Sequence, residues 1–186
     1  MRKALDMLYG AALAGACAAM AAIALLVLVQ VMGRMIDRAA VLLGMGRVGI
    51  SVPSLAEIGG FLFVAAAFLA LPATLRAAGH VRVTLLLRFL GPAGDRAMTV
   101  LALAAGLALA AFAAWAVGGQ AAASFGRGSV SYGLIRIPLW APQGVMTLGL
   151  GIFALALLDE LVTALRGAEA AFRRSERSRE TAEGGH

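Results

Sequence analysis

LYGAALAGACAAMAAIALLVLVQVMG, Leu8 to Gly33, is twenty-six residues without a charged side chain. A helix rises about 1.5 Å per residue, so about 20 apolar residues cross the ~30 Å hydrocarbon core of a bilayer. This run is long enough to cross with some tilt. A helix in a soluble domain rarely stays apolar on every side for so long. Arg2 and Lys3 stand just before it, and Arg34, Asp37 and Arg38 just after. A basic start and an apolar run also open a secretory signal, and Ala14-Gly15-Ala16-Cys17 has a lipoprotein flavour. Two features argue against cleavage. The run continues well past Cys17, beyond the roughly 7–15 residues of a signal core, and Ala14 stands where that processing motif usually has Leu. The segment reads as an uncleaved span with Cys17 a lone, small, buried residue.

Composition agrees. Hydrophobic residues make up 61% of the chain and charged residues 14%, with a mean hydropathy of +0.89. Ordinary soluble domains carry about 25% charge, so the class is an all-α integral membrane protein. A single cysteine excludes a disulfide frame. With only His80 and His186 beside it, no zinc or iron site, and no cofactor, is expected. The net charge is +6, but the basic residues cluster beside apolar runs. That pattern suits topology control and lipid headgroups, not nucleic acid.

Four spans are expected, at about residues 8–33, 55–76, 96–124 and 138–160, within a membrane domain of residues 1–165. Residues 34–51 are mixed and Gly-rich and read as an interfacial loop with at most a helical start; Arg34, Asp37 and Arg38 are spaced for a local ion pair. Ser54 and Glu57 form a capping-box pattern that opens span two, and Pro72 should kink or loosen its last turns. Glu57 is also placed to pair with Arg34 across the first two helices. After span two, Arg76, His80, Thr84 and Arg88 recur every four residues opposite Leu85, Leu86, Phe89 and Leu90. An interfacial helix between spans two and three fits this stripe, with Arg82 off it. His80 then reads as an interfacial hydrogen-bonding residue. Gly91-Pro92-Ala93-Gly94 breaks the helix, and Asp95 is the candidate N-cap of span three. Along that span Gly106, Ala110, Ala114, Gly118 and Ala122 make a small-residue seam suited to close helix packing.

Pro138 and Pro142 delay span four. Pro142 to Leu158 is about 25 Å of helix, short for a bilayer. Either Ile137–Ala141 already sits in the apolar layer, or Asp159 and Glu160 face protein. Tyr132 and Trp140 flank its start as interfacial aromatic residues. The tail, residues 166–186, holds five Arg and four Glu; it continues the helix briefly and is then expected to be disordered.

Basic residues set the orientation. Eleven fall on the side of the N-terminus, the second-to-third connection and the tail, against five on the other; both termini are therefore expected in the cytoplasm. No nucleophile elbow, phosphate loop, metal cluster or mid-span charge pair is present, so no catalytic residue is assigned. Trp115 and the methionines read as packing.

The order of motifs resembles the small permease subunit, DctQ type, of tripartite ATP-independent periplasmic (TRAP) transporters. The residues that carry this are Gly33-Arg34, Ser54-Leu55-Ala56-Glu57, Arg76-Ala77-Ala78-Gly79-His80-Val81-Arg82-Val83, and Ile137-Pro138-Leu139-Trp140 with Pro142. The likeness runs from Leu5 to about Ala164. Family members often have Asp where this chain has Thr84, so no carboxylate role carries over there. The resemblance implies a bacterial inner-membrane scaffold in a sodium-coupled importer of an organic acid. Its partners would be a large permease subunit and a periplasmic substrate-binding protein that docks on the assembled membrane subunits. Two other classes stay open on the residues alone. A self-assembling channel or carrier would need a polar face along one span. A membrane enzyme would need an acid–base partner for Arg76, His80, Arg82 and Arg88.

Overall fold

The computed structural model describes residues 2–47, 49–77 and 91–166. These form four helices: α1 (Arg2–Leu42), α2 (Leu55–Arg76), α3 (Gly91–Gly126) and α4 (Trp140–Leu165). All four are long and apolar enough to cross a membrane. The interfacial helix expected before α3, and the tail, lie outside the described residues.

α1 corrects the expectation of a loop after Gly33. It runs on through the charged residues for 41 residues in all, about 60 Å. The charges end the apolar layer but not the helix. Arg34–Leu43 contains no Gly or Pro, and adding good helix formers to an existing helix costs little. Gly44, at φ +72°, stops it. Its N–H bonds to Val41 O, and the Met45 N–H to Ala40 O at 2.8 Å, the paired closure that satisfies the last carbonyls.

The chain then returns along α1. The Gly49 N–H donates to Asp37 Oδ1 at 2.9 Å and the Val52 N–H to Gln30 Oε1 at 2.7 Å. Between these ties Ile50 lies on Gly33, where a Cβ would collide with the Ile50 carbonyl. Among the described residues neither Arg34 nor Arg38 forms an ion pair with Asp37.

α2 begins where expected, but the capping box does not form. Ser54 sits at φ 54°, ψ 28° and makes no side-chain cap bond. Its Oγ instead accepts from the Ile135 N–H at 3.2 Å. Pro72 is fully buried inside the helix. Lacking an N–H, it leaves the Phe68 carbonyl without its usual helical donor. α4 approaches at that point: a Cβ on Gly149 would stand 2.8 Å from the Phe68 carbonyl carbon and oxygen. A glycine Cα–H facing a freed carbonyl is a favourable weak contact, and it lets the two backbones meet.

α3 starts earlier than Asp95. Pro92 is accommodated in the first turn, where no intrahelical N–H is needed, and Thr99 Oγ1 donates to the Asp95 carbonyl at 2.8 Å. α4 resolves its apparent shortness by running on to Leu165, with Glu160 buried at 3% exposure.

The helices pack in the order α1, α2, α4, α3. α4 is the most enclosed span and α3 the least. The core joins Tyr9 and Ala12 of α1, Leu75 of α2, Leu103 and Ala110 of α3, and Ile152, Ala156 and Leu157 of α4. α1 and α3 form the two flanks, each packed chiefly along one side. Cys17 is exposed on α1, contrary to the buried position expected. On an Ala-rich helix that packs along one side, most positions face outward.

Candidate functional site at the two ends of the helix row

The polar side chains gather at the helix ends. At the near end, α1 and α3 begin and α2 and α4 finish. Arg76, in the last turn of α2, bonds through Nη1 to Asp6 Oδ1 of α1 at 2.5 Å. Its guanidinium lies 5.1 Å from the centroid of the Tyr9 ring, within cation–π range. Tyr9 is buried at 4% exposure, and its hydroxyl has no hydrogen-bond partner among the described residues. Arg76 thus ties α2 to α1 through both an ion pair and a ring contact. Glu160, near the end of α4, is buried at 3% exposure. Arg96 of α3 closes the same end by donating from Nη2 to the Leu165 carbonyl at 3.0 Å, one of the last carbonyls of α4 that a helix leaves unpaired.

At the far end, the loop between α3 and α4 folds onto the start of α2. Ser131 organises it: its N–H donates to Ile137 O at 2.8 Å. Its hydroxyl donates to Ile135 O and accepts from the Ile137 N–H, both at 3.1 Å. Glu57 lies under this loop. A side chain at Gly133 would collide with Glu57 Oε2 and Ser54 Oγ, and Glu57 Oε2 is buried without a hydrogen-bond partner among the described residues. The expected Arg34–Glu57 pair does not form. Arg34 is exposed on the far part of α1, and Glu57 lies beneath the loop against Gly133.

Trp140 opens α4 and stands edge-on to Phe125, with ring centroids 5.7 Å apart and planes at 83°. The small-residue seam of α3 faces α4 of the same chain. Leu157 lies beside Gly106 and Thr147 beside Gly118, and Ala110 is buried while Ala114 is half-buried. From Gly106 to Gly118 the seam is used inside the chain, and Ala122 is exposed. His80 and Arg82 fall outside the described residues.

Asp6, Tyr9, Gly133 and Gly149 escaped the sequence reading. Asp6 carried a legible signal, since an acid ahead of span one lies on the same expected side as Arg76. Tyr9, Gly133 and Gly149 carried none, because their roles depend on which helix lies opposite. Among the described residues no three His, Cys, Asp or Glu side chains are grouped to hold a metal. The near-end cluster offers ion pairing and aromatic contact, which fasten helices.

A family model described as "Tripartite ATP-independent periplasmic transporters, DctQ component" matches residues 23–167. No curated protein and no solved structure matches the chain.

Proposed function

The chain belongs to the DctQ family of TRAP transporter components, and on that premise we propose that it braces the large permease subunit of a sodium-coupled organic-acid importer. It lies in the inner membrane with both termini cytoplasmic, and its far end forms part of the docking surface for the periplasmic binding protein. The observation that carries the scaffold reading is the open row of helices. The flanking spans α1 and α3 keep large apolar side chains outward, among them Leu25, Leu28, Leu109, Phe112 and Trp115. In a bilayer such faces meet lipid or another span, and a protein partner gains van der Waals packing along them. The polar groups described above sit at helix ends, whereas carriers place substrate and ion sites at mid-membrane around broken helices. Substrate and sodium are assigned to the large subunit.

The test is reconstitution in liposomes of this chain alone, of the large subunit with the binding protein, and of all three together. Sodium-driven uptake is expected only from the full set. Uptake by this chain alone would overturn the proposal, as would undiminished uptake without it.

A further inference from the structure

At the far end of α1 an open groove of about 790 Å³ runs beside the helix. Arg34 and Arg38, one turn apart on α1, and Arg47 of the returning segment line it, together with Asp37. None of the three arginines forms an ion pair among the described residues, and Asp37 is engaged by the Gly49 N–H. The rest of the lining is apolar and includes Val31, Met35 and Leu42. Met35 is 60% and Leu42 87% exposed.

The position on the helix matters as much as the lining. Leu8 to Gly33 covers about 39 Å at 1.5 Å per residue, more than the ~30 Å hydrocarbon core. Arg34 therefore falls where the apolar layer gives way to headgroups. Exposed Met35 and Leu42 beyond that boundary would be costly against water. Three guanidiniums against one carboxylate, beside an apolar wall, leave a net positive charge that matches a molecule with an anionic head and a hydrocarbon body.

We propose that the groove formed by Arg34, Arg38 and Arg47 binds one anionic phospholipid of the leaflet at this end. The arginines take the phosphate, and Val31 and Met35 take the upper part of an acyl chain. The inference rests on the membrane placement of α1 and is independent of the scaffold reading.

The experiment uses the full chain, purified in detergent and stripped of lipid. It is offered equal amounts of phosphatidylglycerol and phosphatidylcholine with identical acyl chains, and bound lipid is counted by native mass spectrometry. Phosphatidylglycerol should be retained selectively. Arg38→Gln should lower its retention about fivefold, the effect of ~1 kcal/mol per basic residue at a membrane surface. The triple variant Arg34→Gln, Arg38→Gln, Arg47→Gln should lose the preference while keeping wild-type helicity by circular dichroism. Met35→Asn should weaken retention of both lipids. Inorganic phosphate at tens of millimolar (roughly physiological-range screening) should leave the lipid bound; displacement would mean a bare anion site and overturn the amphiphile assignment. Equal retention of the two lipids by the wild type would overturn the proposal. So would a triple variant that keeps its phosphatidylglycerol but no longer captures a periplasmic binding protein.

Discussion

At the scale of single residues, two charge pairs can be compared, one observed and one expected from spacing. Asp6 and Arg76 meet in α1 and α2 at 2.5 Å, although 70 positions separate them in the chain. Arg34 and Glu57 are close in sequence order and do not meet. Glu57 Oε2 is instead buried beneath the α3–α4 loop, with no hydrogen-bond partner among the described residues. Double-mutant cycles on the full chain should separate the two. Asp6→Asn with Arg76→Gln should show a coupling of up to about 1 kcal/mol, the ceiling for a pair this exposed to solvent. Arg34→Gln with Glu57→Gln should show none. Glu57→Gln alone should leave thermal stability unchanged or raise it, because it removes a charge from a site that gives one oxygen no donor. A loss of stability that Arg34→Gln abolishes would restore the outer ion pair.

At the scale of elements, the spans were legible and their contacts were not. Hydropathy alone locates a crossing, because the bilayer demands about 20 apolar residues whatever the partner. Charges fix where the apolar layer ends, so the hydropathy of α1 marks Gly33 while its backbone continues to Leu42. Capping follows the same pattern: Ser54 marks the start of α2, but its Oγ is drawn to Ile135, 81 positions away. The choice of seam was ambiguous for a different reason. Gly and Ala recur along every span, so periodicity marks several possible faces, and only the opposing helix selects one. Gly149, with Phe68 and Pro72 across from it, had no local signature at all. It carries a sharp expectation nonetheless. Gly149→Ala puts a methyl 2.8 Å from backbone atoms of α2, which cannot rotate aside as a side chain would. A destabilisation of about 1–3 kcal/mol is expected, the usual range for overpacking. Gly151→Ala, whose Cβ meets nothing within 4 Å, should be neutral or slightly stabilising. Chemical denaturation in mixed micelles reads both, and equal effects would mean that α2 and α4 are not in backbone contact at this point.

At the scale of the whole molecule, the open row of helices and the asymmetry of its two ends belong to one argument. The near end is fastened by Asp6, Arg76, Tyr9 and Arg96, and the far end by the loop that Ser131 holds against Ser54. Between them the apolar flanks are left outward. Which end faces the cytoplasm is set by basic residues, since those in short loops resist translocation. By sequence order, eleven belong to the N-terminus, the second-to-third connection and the tail, and five to the other two connections. Reporter fusions test this directly, and the structure shows where they can be placed. Gly46 follows the closed end of α1, and Gly128, at φ +60°, lies two residues past the end of α3, so a reporter at either position follows a completed helix. Alkaline phosphatase fused after Gly46 or Gly128 should be active, as it is only outside the cytoplasm. Green fluorescent protein fused after Gly184 should fluoresce, as it does when folded inside. A fluorescent fusion at Gly46 with an active phosphatase at Gly184 would invert the molecule. It would place Arg34, Arg38 and Arg47 on the cytoplasmic leaflet and remove the far end from any periplasmic partner.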